Sequence, residues 1–286
     1  MMLDKMIVSQ MQPTDLDFAA RCTQTEGWSS ETRQEIEGYY WHDPNGSFIA
    51  RDGDQRIGMC MATRYGEYGF IGELIVVKEM RSHGVGGLLM GEAIQYLHSQ
   101  GLGRIYLDGV LKAVPLYERA GFRRTSRSLR FSGRIQGKTH PQVRPMRDQD
   151  REVVFAQDRT AFGTDRSYFL ERRLALYPDL CKVLEGANGI SGYIFGRRGE
   201  KGISVGPWVV QAQVEQSAAL LESLAADAGN VSLGIGVLDS NPRAVALMKE
   251  YGMKLNPESP WRMVLGEPGD AGNVMQSFAI GSPCKG

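Results

Sequence analysis

The feature that most constrains the fold is a buried strand that runs through a glycine-rich turn directly into a helix. Leu74–Val77 is an unbroken aliphatic run, which is typical of a strand buried on both faces. The turn after it contains Arg81, Gly84, Gly86 and Gly87. Glycine lets the backbone turn tightly and approach a ligand closely, and the N–H groups at a helix N-terminus attract anions. The segment therefore predicts a phosphate-binding turn between a strand and a helix.

Three other interpretations of this turn compete with phosphate binding. A dinucleotide-binding Gly-x-Gly-x-x-Gly motif would need a glycine at position 89, which is Leu89. A Walker loop would need Gly-Lys-Ser or Gly-Lys-Thr before the helix, and this segment has neither. A glycine-rich turn without a ligand stays open. Arg81 favours an anion, because a guanidinium forms charge-assisted hydrogen bonds with phosphate oxygens.

The composition excludes several classes of protein. The 33 Lys and Arg residues balance 33 Asp and Glu residues, so we expect no nucleic-acid partner, whose binding usually needs a basic surface. Hydrophobic residues make up 42%, enough for a folded core. The sequence has no apolar run near the ~20 residues that cross a bilayer, and its first 20 residues lack the apolar stretch of a signal peptide. We therefore predict no membrane partner and a cytoplasmic location.

The cysteines and histidines do not have the spacing of metal ligands. The four cysteines form no Cys-x-x-Cys pair, and a disulfide framework is not expected in a chain of this size. We therefore predict no metal. The cysteines are Cys22, Cys60, Cys181 and Cys284, and the histidines without metal-ligand spacing are His42, His98 and His140.

A weak internal repeat divides the chain into two halves. Val8, Met11 and Asp15 recur with the same spacing as Val143, Met146 and Asp150, and Ala113–Phe122 is echoed by Ala244–Met253. Two matches in the same order at nearly the same offset predict two copies of one fold. The polar segment Gly133–Gln142 contains glycine and proline, as domain linkers do. We therefore expect one domain at 1–138 and a second at 139–286.

Periodicity within the first copy alternates between strands and helices, which indicates a mixed α/β fold. A hairpin is expected around the Asp-Gly-Asp turn at 52–54. Helices are expected to end at Gly101 and Gly121, as C-terminal glycines favour. The predicted strands are Ser47–Arg51, Arg56–Arg64, Phe70–Val77 and Ile105–Leu107, and the predicted helices include Leu88–Leu97 and Val114–Arg119.

Two motifs resemble those of the GCN5-related N-acetyltransferase (GNAT) superfamily. The Arg-x-x-Gly-x-Gly pattern that starts at Arg81 resembles the family's pyrophosphate loop, and Pro115–Phe122 resembles its later Leu-Tyr-x-x-x-Gly-Phe motif. The resemblance covers about residues 7–140, and the second copy resembles the same fold in outline. It implies an α/β (α+β mixed) fold of two tandem GNAT-like domains, each a central mixed, mostly antiparallel sheet flanked by helices.

The resemblance implies transfer of the acetyl group of acetyl-CoA, the co-substrate, to a primary amine of a small molecule or peptide. The strand residues Val76 and Val77 would pair with the pantetheine arm as an added strand does, and an N–H near Val76 could polarise the thioester carbonyl. The residues implied in cofactor binding are Val76, Val77, Arg81, Ser82, His83, Gly84, Val85, Gly86 and Gly87.

Two side chains are candidates for proton transfer. Tyr117 could protonate the departing thiolate, or it could be a core aromatic residue with a satisfied hydroxyl. Glu73 could take a proton from the ammonium of the acceptor, directly or through water, or it could be an ordinary ion-paired glutamate. The sequence departs from the common family pattern at Val110, where asparagine is usual, and at Lys78, where proline is frequent.

The second copy lacks the residues that carry the proposed chemistry. Its alignment with the first copy places Val214, Ser217 and Ala219 at the positions of Arg81, Gly84 and Gly86, and Met248 at that of Tyr117. We therefore expect a degenerate domain that shapes the acceptor pocket or stabilises the first. Asn241 is expected to cap a helix.

Residues that contact the acceptor are the least constrained by the sequence, since they come from variable loops. Trp28 and Tyr39 lie where the family's substrate-binding helices fall, and Asp165 could hold an amine while Arg166 holds a carboxylate. Core packing and a local ion pair are the alternatives. A monomer or homodimer is expected. A non-enzymatic acyl-CoA sensor remains the alternative function, whereas the intact glycine loop argues against a pure interaction scaffold.

Overall fold

The computed structural model describes residues 6–28, 30–211, 214–229, 231–267, 269 and 272–286, without the side chains of Val214 and Glu215. The helices are α1 (Leu16–Thr25), α2 (Arg33–His42), α3 (Val85–Ser99), α4 (Val114–Arg119), α5 (Arg151–Phe162), α6 (Ser167–Leu176), α7 (Val214–Ala228) and α8 (Pro242–Glu250). The strands are β1 (Met6–Gln10), β2 (Ser47–Asp52), β3 (Gln55–Arg64), β4 (Gly69–Val76), β5 (Ile105–Gly109), β6 (Arg123–Gly133), β7 (Val143–Pro145), β8 (Cys181–Gly186), β9 (Gly189–Gly199), β10 (Gly202–Val210), β11 (Leu233–Leu238), β12 (Lys254–Leu255), β13 (Trp261–Leu265) and β14 (Ser277–Ala279).

The chain forms two compact units. The first comprises the described residues up to Thr125, the segment that starts at Arg262, and Lys285. The second comprises Ser126–Trp261 and the later residues that the first does not include. The division into domains at 1–138 and 139–286 stays a prediction. Within the described residues, no helix is both long and apolar enough to cross a membrane.

The sheet of the first unit is mostly antiparallel. Strands β1 to β4 pair in sequence order with antiparallel neighbours, and β5 joins β4 in parallel. The β2–β3 hairpin turns at 53–54, as the Asp-Gly signal predicts. Helix α3 provides the parallel crossover and buries Leu89, Ala93 and Leu97. It lies so close to β4 that an added Cβ at Gly69 would lie 2.6 Å from Leu97 Cδ1.

The second unit repeats the order of elements found in the first. Strands β7 to β10 are antiparallel neighbours, β11 joins β10 in parallel, and α7 lies between β10 and β11 in the chain. The two copies and the mixed, mostly antiparallel α/β class predicted from the sequence are therefore confirmed. Asn241 caps α8 as predicted, because its side chain accepts hydrogen bonds from the N–H groups of Arg243 and Ala244.

The repeated aspartates play the same local role in each unit. Asp15 follows β1 and its Oδ2 accepts the N–H of Gln12 at 2.9 Å, while Asp150 follows β7 and accepts the N–H of Arg147 at 2.7 Å. Both are buried and precede the first helix of their unit. Each aspartate thus stabilises the same turn at the entrance to the first helix of its unit, which explains why the sequence repeats it.

Candidate functional site

The two central strands of the first unit separate before they end. The parallel pairing of β4 with β5 joins Gly69–Ile71 to Ile105–Leu107, whereas the antiparallel pairing of β4 with β3 continues to Val76 opposite Gly58. In this fully described stretch, no further β4–β5 pair follows Ile71. The edge of β4 that faces away from β3 is therefore left without strand pairing from Gly72 onward, and such an edge can bind an extended ligand.

A β-bulge lies in the same part of β4. The register with β3 shifts between Met59 and Met61, and Glu73 has a φ of 51°, which is uncommon for a residue other than glycine. Bulges redirect side chains and are frequent beside active sites. The side chain of Glu73 is buried, at 2% exposure. Burial, which is the larger effect, and the charge of Glu73 both raise the pKa of the Cys60 thiol.

Glu73 has a second buried carboxylate as a neighbour. A side-chain oxygen of Glu31 lies within 4.8 Å of one of Glu73, and Glu31 is also 2% exposed. The hydroxyl of Tyr39 donates a hydrogen bond to Glu31 Oε2 at 3.0 Å. Two buried carboxylates this close repel each other when both are charged. This arrangement suits a group that takes up and releases a proton.

The glycine-rich turn joins β4 to α3. Gly84 has a left-handed φ of 85° and caps the helix, and its carbonyl accepts the N–H groups of Gly87 at 2.9 Å and Leu88 at 3.1 Å. The N–H groups before Gly87 therefore precede the hydrogen bonds of the helix, as at any helix start. Ser82 and His83 are exposed in the turn, and Val85 is buried under it. This geometry fits an anion bound by backbone N–H groups.

The two glycines in the first turn of α3 have different surroundings. An added Cβ at Gly86 would lie 3.3 Å from Leu116 Cδ2 and 3.8 Å from Val76 Cγ2, whereas one at Gly87 would meet no atom within 4 Å. Gly86 therefore allows close packing against α4 and the end of β4. Gly87 leaves the surface beside the turn clear.

Arg81 is paired within the protein. Its Nε donates to the carbonyl of Val76 at 3.0 Å, and its Nη2 forms an ion pair with Glu26. Lys112 Nζ lies 3.2 Å from the other oxygen of Glu26. Burial acts to raise the pKa of Glu26, but hydrogen bonds from Arg81 and Lys112 outweigh it and leave this pKa below its usual value. Glu26 and Lys112 give no signal in the sequence, because both lie far from Arg81 in the chain.

Tyr117 lies on α4 with its ring against the end of β5. An added Cβ at Gly109 would lie 2.8 Å from Tyr117 Cδ2, so the absence of a side chain at Gly109 makes room for the ring. The ring is also edge-on to Phe122, with centroids 6.5 Å apart. Tyr117 is 6% exposed. Its ring is thus fixed at the end of β5 that lies beyond the pairing with β4.

The predicted acceptor residues are in different environments. Trp28 is half-buried just after α1, and Tyr39 is buried on α2. Asp165 pairs with Arg159 at 3.0 Å. Arg166 is buried and forms three hydrogen bonds of 2.8, 2.9 and 3.2 Å with Asp158. Its guanidinium lies 3.9 Å from the ring centroid of Phe162. These contacts give Asp165 and Arg166 structural roles, and their contact with an acceptor stays a prediction.

The corresponding part of the second unit has other residues. Ala212 and Gln213 lie outside the described residues, as do the side chains of Val214 and Glu215. Ser217 and Ala219 are buried on α7, and Met248 is a core residue at 0% exposure. Met248 therefore serves packing where the first unit has Tyr117. Ser217 lies within α7, which begins at Val214, whereas Gly84 precedes α3, so these two residues differ in position relative to their helices.

Comparisons with known proteins agree with this architecture. The model of the acetyltransferase (GNAT) family matches residues 15–122, and that of an acetyltransferase (GNAT) domain matches residues 154–278. Comparison with curated proteins finds no significant match.

Several solved structures are similar over most of the chain. A Pyrococcus horikoshii protein with a provisional acetyltransferase assignment is 21% identical, with a TM-score of 0.85 and coverage of 100% of this chain and 98% of that one. A GCN5-related N-acetyltransferase from Sphaerobacter thermophilus is 12% identical, with a TM-score of 0.63 and coverage of 99% and 98%. Another from Anabaena variabilis is 13% identical, with a TM-score of 0.60 and coverage of 90% and 72%. At these identities the similarity concerns the fold.

Proposed function

Because this chain belongs to the GNAT acetyltransferase family and has two GNAT domains in tandem, we propose that it transfers the acetyl group of acetyl-CoA to a primary amine of a small molecule or peptide. The observation that carries the proposal is the unpaired edge of β4, which leads directly into the glycine turn at the start of α3. An extended amide chain can pair with such an edge, and a pyrophosphate can bind at such a turn.

The residues present suit the pyrophosphate and the pantetheine arm of the co-substrate. Gly87 leaves space beside the helix start, and Arg81 and Lys112 supply positive charge near it. Val76 and Val77 would bind the pantetheine arm, with Ser82, His83, Gly84, Val85 and Gly86 forming the turn. Acetyl-CoA supplies an activated acyl group as a thioester.

The chain itself supplies the proton transfers. Glu73 would accept a proton from the acceptor's ammonium, because the bulge holds its carboxylate at the part of β4 where pairing with β5 has ended. Tyr117 would donate a proton to the leaving thiolate from the end of β5. The first unit would thus catalyse the reaction, while the second shapes the acceptor pocket or stabilises the first.

The proposal is tested by incubating the full chain with acetyl-CoA and a panel of amines, while free thiol is followed with a thiol-reactive dye. We expect thiol release that depends on the amine, with a matching acetylated product in the mass spectrum. Tight binding of coenzyme A in a calorimeter without thiol release for any amine would instead favour a non-enzymatic acyl-CoA sensor. A protein that does not bind coenzyme A would overturn both functions.

A further inference from the structure

A lysine ammonium is buried among acidic and aromatic side chains of the first unit. Lys285 Nζ lies 3.2 Å from Glu35 Oε2 and 4.1 Å from the centroid of the Tyr39 ring. The side chains of Lys285 and Glu35 are 5% and 9% exposed. The hydroxyl of Tyr65 donates to the carbonyl of Lys285 at 2.8 Å, so the backbone at Lys285 is held as well. Glu35 and Tyr39 both lie on α2.

Stability alone does not explain this arrangement. An ammonium group is strongly hydrated, and removing it from water costs several kcal/mol, which an ion pair offsets only when its geometry is good. Replacing a buried ion pair with apolar residues is often neutral or stabilising. A carboxylate beside an aromatic face is, however, an effective receptor for an alkylammonium ion. The pair of Glu35 and Tyr39 therefore has the chemistry of a binding site for a primary ammonium.

The same aromatic residue connects this ammonium to the proposed reaction centre. Tyr39 presents its ring face to Lys285, and its hydroxyl donates to Glu31 Oε2 at 3.0 Å. A carboxylate oxygen of Glu31 in turn lies within 4.8 Å of one of Glu73. Tyr39 and Glu31 thus connect the ammonium of Lys285 to the proposed base through successive contacts.

We propose that Glu35 and the face of Tyr39 form the ammonium subsite of the acceptor pocket, and that Lys285 occupies it as a tethered mimic of the acceptor. This inference rests on the proposed acetyltransferase function. The acceptor is then an unbranched primary alkylammonium of the lysine type, since a four-carbon stem ending in an ammonium already fits. Lys285 competes with that acceptor, so the apparent affinity for the acceptor falls by the fraction of molecules in which the subsite is open.

The first test compares the wild-type chain with Lys285→Met, which keeps an apolar stem and removes the charge. With n-butylamine as the probe, we expect the KM for the amine to fall about tenfold, while the KM for acetyl-CoA is unchanged. Lys182→Met is the matched control, because Lys182 has the same 5% side-chain exposure and pairs with Asp227 in the second unit. It should leave both constants unchanged.

A second measurement does not depend on catalysis. In Lys285→Ala the subsite is empty, so n-butylammonium should raise the melting temperature of this variant, whereas n-butanol, which lacks the charge, should not. Adding Glu35→Gln to Lys285→Ala should remove the effect. In the wild-type protein, n-butylammonium should displace Lys285 and accelerate hydrogen exchange in the segment 272–286.

The outcomes separate this inference from the function on which it rests. A folded Lys285→Met protein with an unchanged KM for n-butylamine would overturn the inference, as would wild-type exchange that does not respond to the amine. If no amine is acetylated by any variant, the proposed function fails, and the melting and exchange measurements alone decide the subsite. Stabilisation of Lys285→Ala by n-butylammonium and by n-butanol alike would show an apolar cavity and would also overturn it.

Discussion

The guanidinium of Arg81 is paired with the carboxylate of Glu26, although Arg81 belongs to the turn proposed to bind phosphate. The same carboxylate also holds Lys112, which follows β5 in the chain. One acidic side chain at the end of α1 therefore pairs with two cations, one from each of the segments that follow the separated strands. A pyrophosphate would have to compete with Glu26 for these cations.

This competition predicts opposite effects for two substitutions. Glu26→Gln should tighten coenzyme A binding about threefold to tenfold, because it releases Arg81 and Lys112 to pair with phosphate. Arg81→Gln should weaken binding about tenfold. Calorimetric dissociation constants at low and high salt check both, and both differences should shrink with salt as screening increases. Arg33→Gln is the control, since Arg33 has a similar exposure and pairs with Asp17 instead. Weaker binding in Glu26→Gln would show that Glu26 positions Arg81 rather than competing for it.

The hydroxyl of Tyr117 can be tested without disturbing its packing. Tyr117→Phe keeps the ring that lies against Gly109, so the fold and the dissociation constant of coenzyme A should be unchanged. If the hydroxyl protonates the leaving thiolate, kcat should fall about a hundredfold. Tyr106→Phe is matched, because Tyr106 is also 6% exposed in the first unit. Equal turnover in wild type and Tyr117→Phe would remove Tyr117 from the mechanism.

Glu73 is tested through the pH dependence of turnover. Glu73→Gln keeps the size of the side chain but cannot accept a proton, so kcat/KM for the amine should fall about a hundredfold or more at pH 7. The loss should shrink at high pH, where more of the acceptor amine is already neutral. Coenzyme A binding serves as the internal control and should not change. A uniform loss at every pH would indicate that Glu73 maintains the bulge instead.

Elements with local signals were predictable from the sequence. The structure places α4 at Val114–Arg119, as predicted, because Pro115 favours a helix start and the glycine at 121, with a φ of 93°, a helix end. The β2–β3 hairpin likewise follows from its Asp-Gly turn. In such segments the residues that determine the conformation are adjacent in the chain.

Pairs of residues that are distant in the chain were not predictable. No spacing rule relates Glu26 to Arg81, or Glu31 to Glu73, because the tertiary fold alone brings them together. The bulge at Glu73 also gives no local signal, since its positive φ is imposed by pairing with β3. The sequence therefore predicts the glycine-rich turn more completely than the charged side chains that surround it.

The open surface at Gly87 predicts a conflict between stability and binding. Alanine favours a helix over glycine by about 1 kcal/mol, and an added Cβ at Gly87 meets no atom within 4 Å. Gly87→Ala should therefore raise the melting temperature and yet weaken coenzyme A binding, because the methyl group lies beside the turn. Gly91→Ala, also on α3 with open space around it, should raise the melting temperature without affecting binding. Equal affinity in the two variants would show that Gly87 has no role in binding.

Acid should destabilise the first unit through Asp15. This buried carboxylate lies 2.6 Å from both Arg51 and Arg56. Burial acts to raise the pKa of Asp15, but hydrogen bonds from the N–H of Gln12 and from the two arginines outweigh it and hold this pKa below its usual value. A carboxyl whose pKa is lowered by folding contributes stability above its unfolded pKa, near 3.8, and loses that contribution as the pH falls through its folded pKa.

We therefore expect Asp15→Asn to reduce the free energy of unfolding by about 2–4 kcal/mol at pH 7, because it leaves two arginines without their buried partner. The difference from wild type should shrink as the pH falls below about 4. Urea denaturation at pH 7, 5 and 3 measures it. Asp17→Asn is the control: Asp17 pairs with Arg33 at 2.8 Å but is 76% exposed, so its loss should be barely measurable. A difference between wild type and Asp15→Asn that stays constant down to pH 3 would show that shape, and not charge, makes Asp15 important.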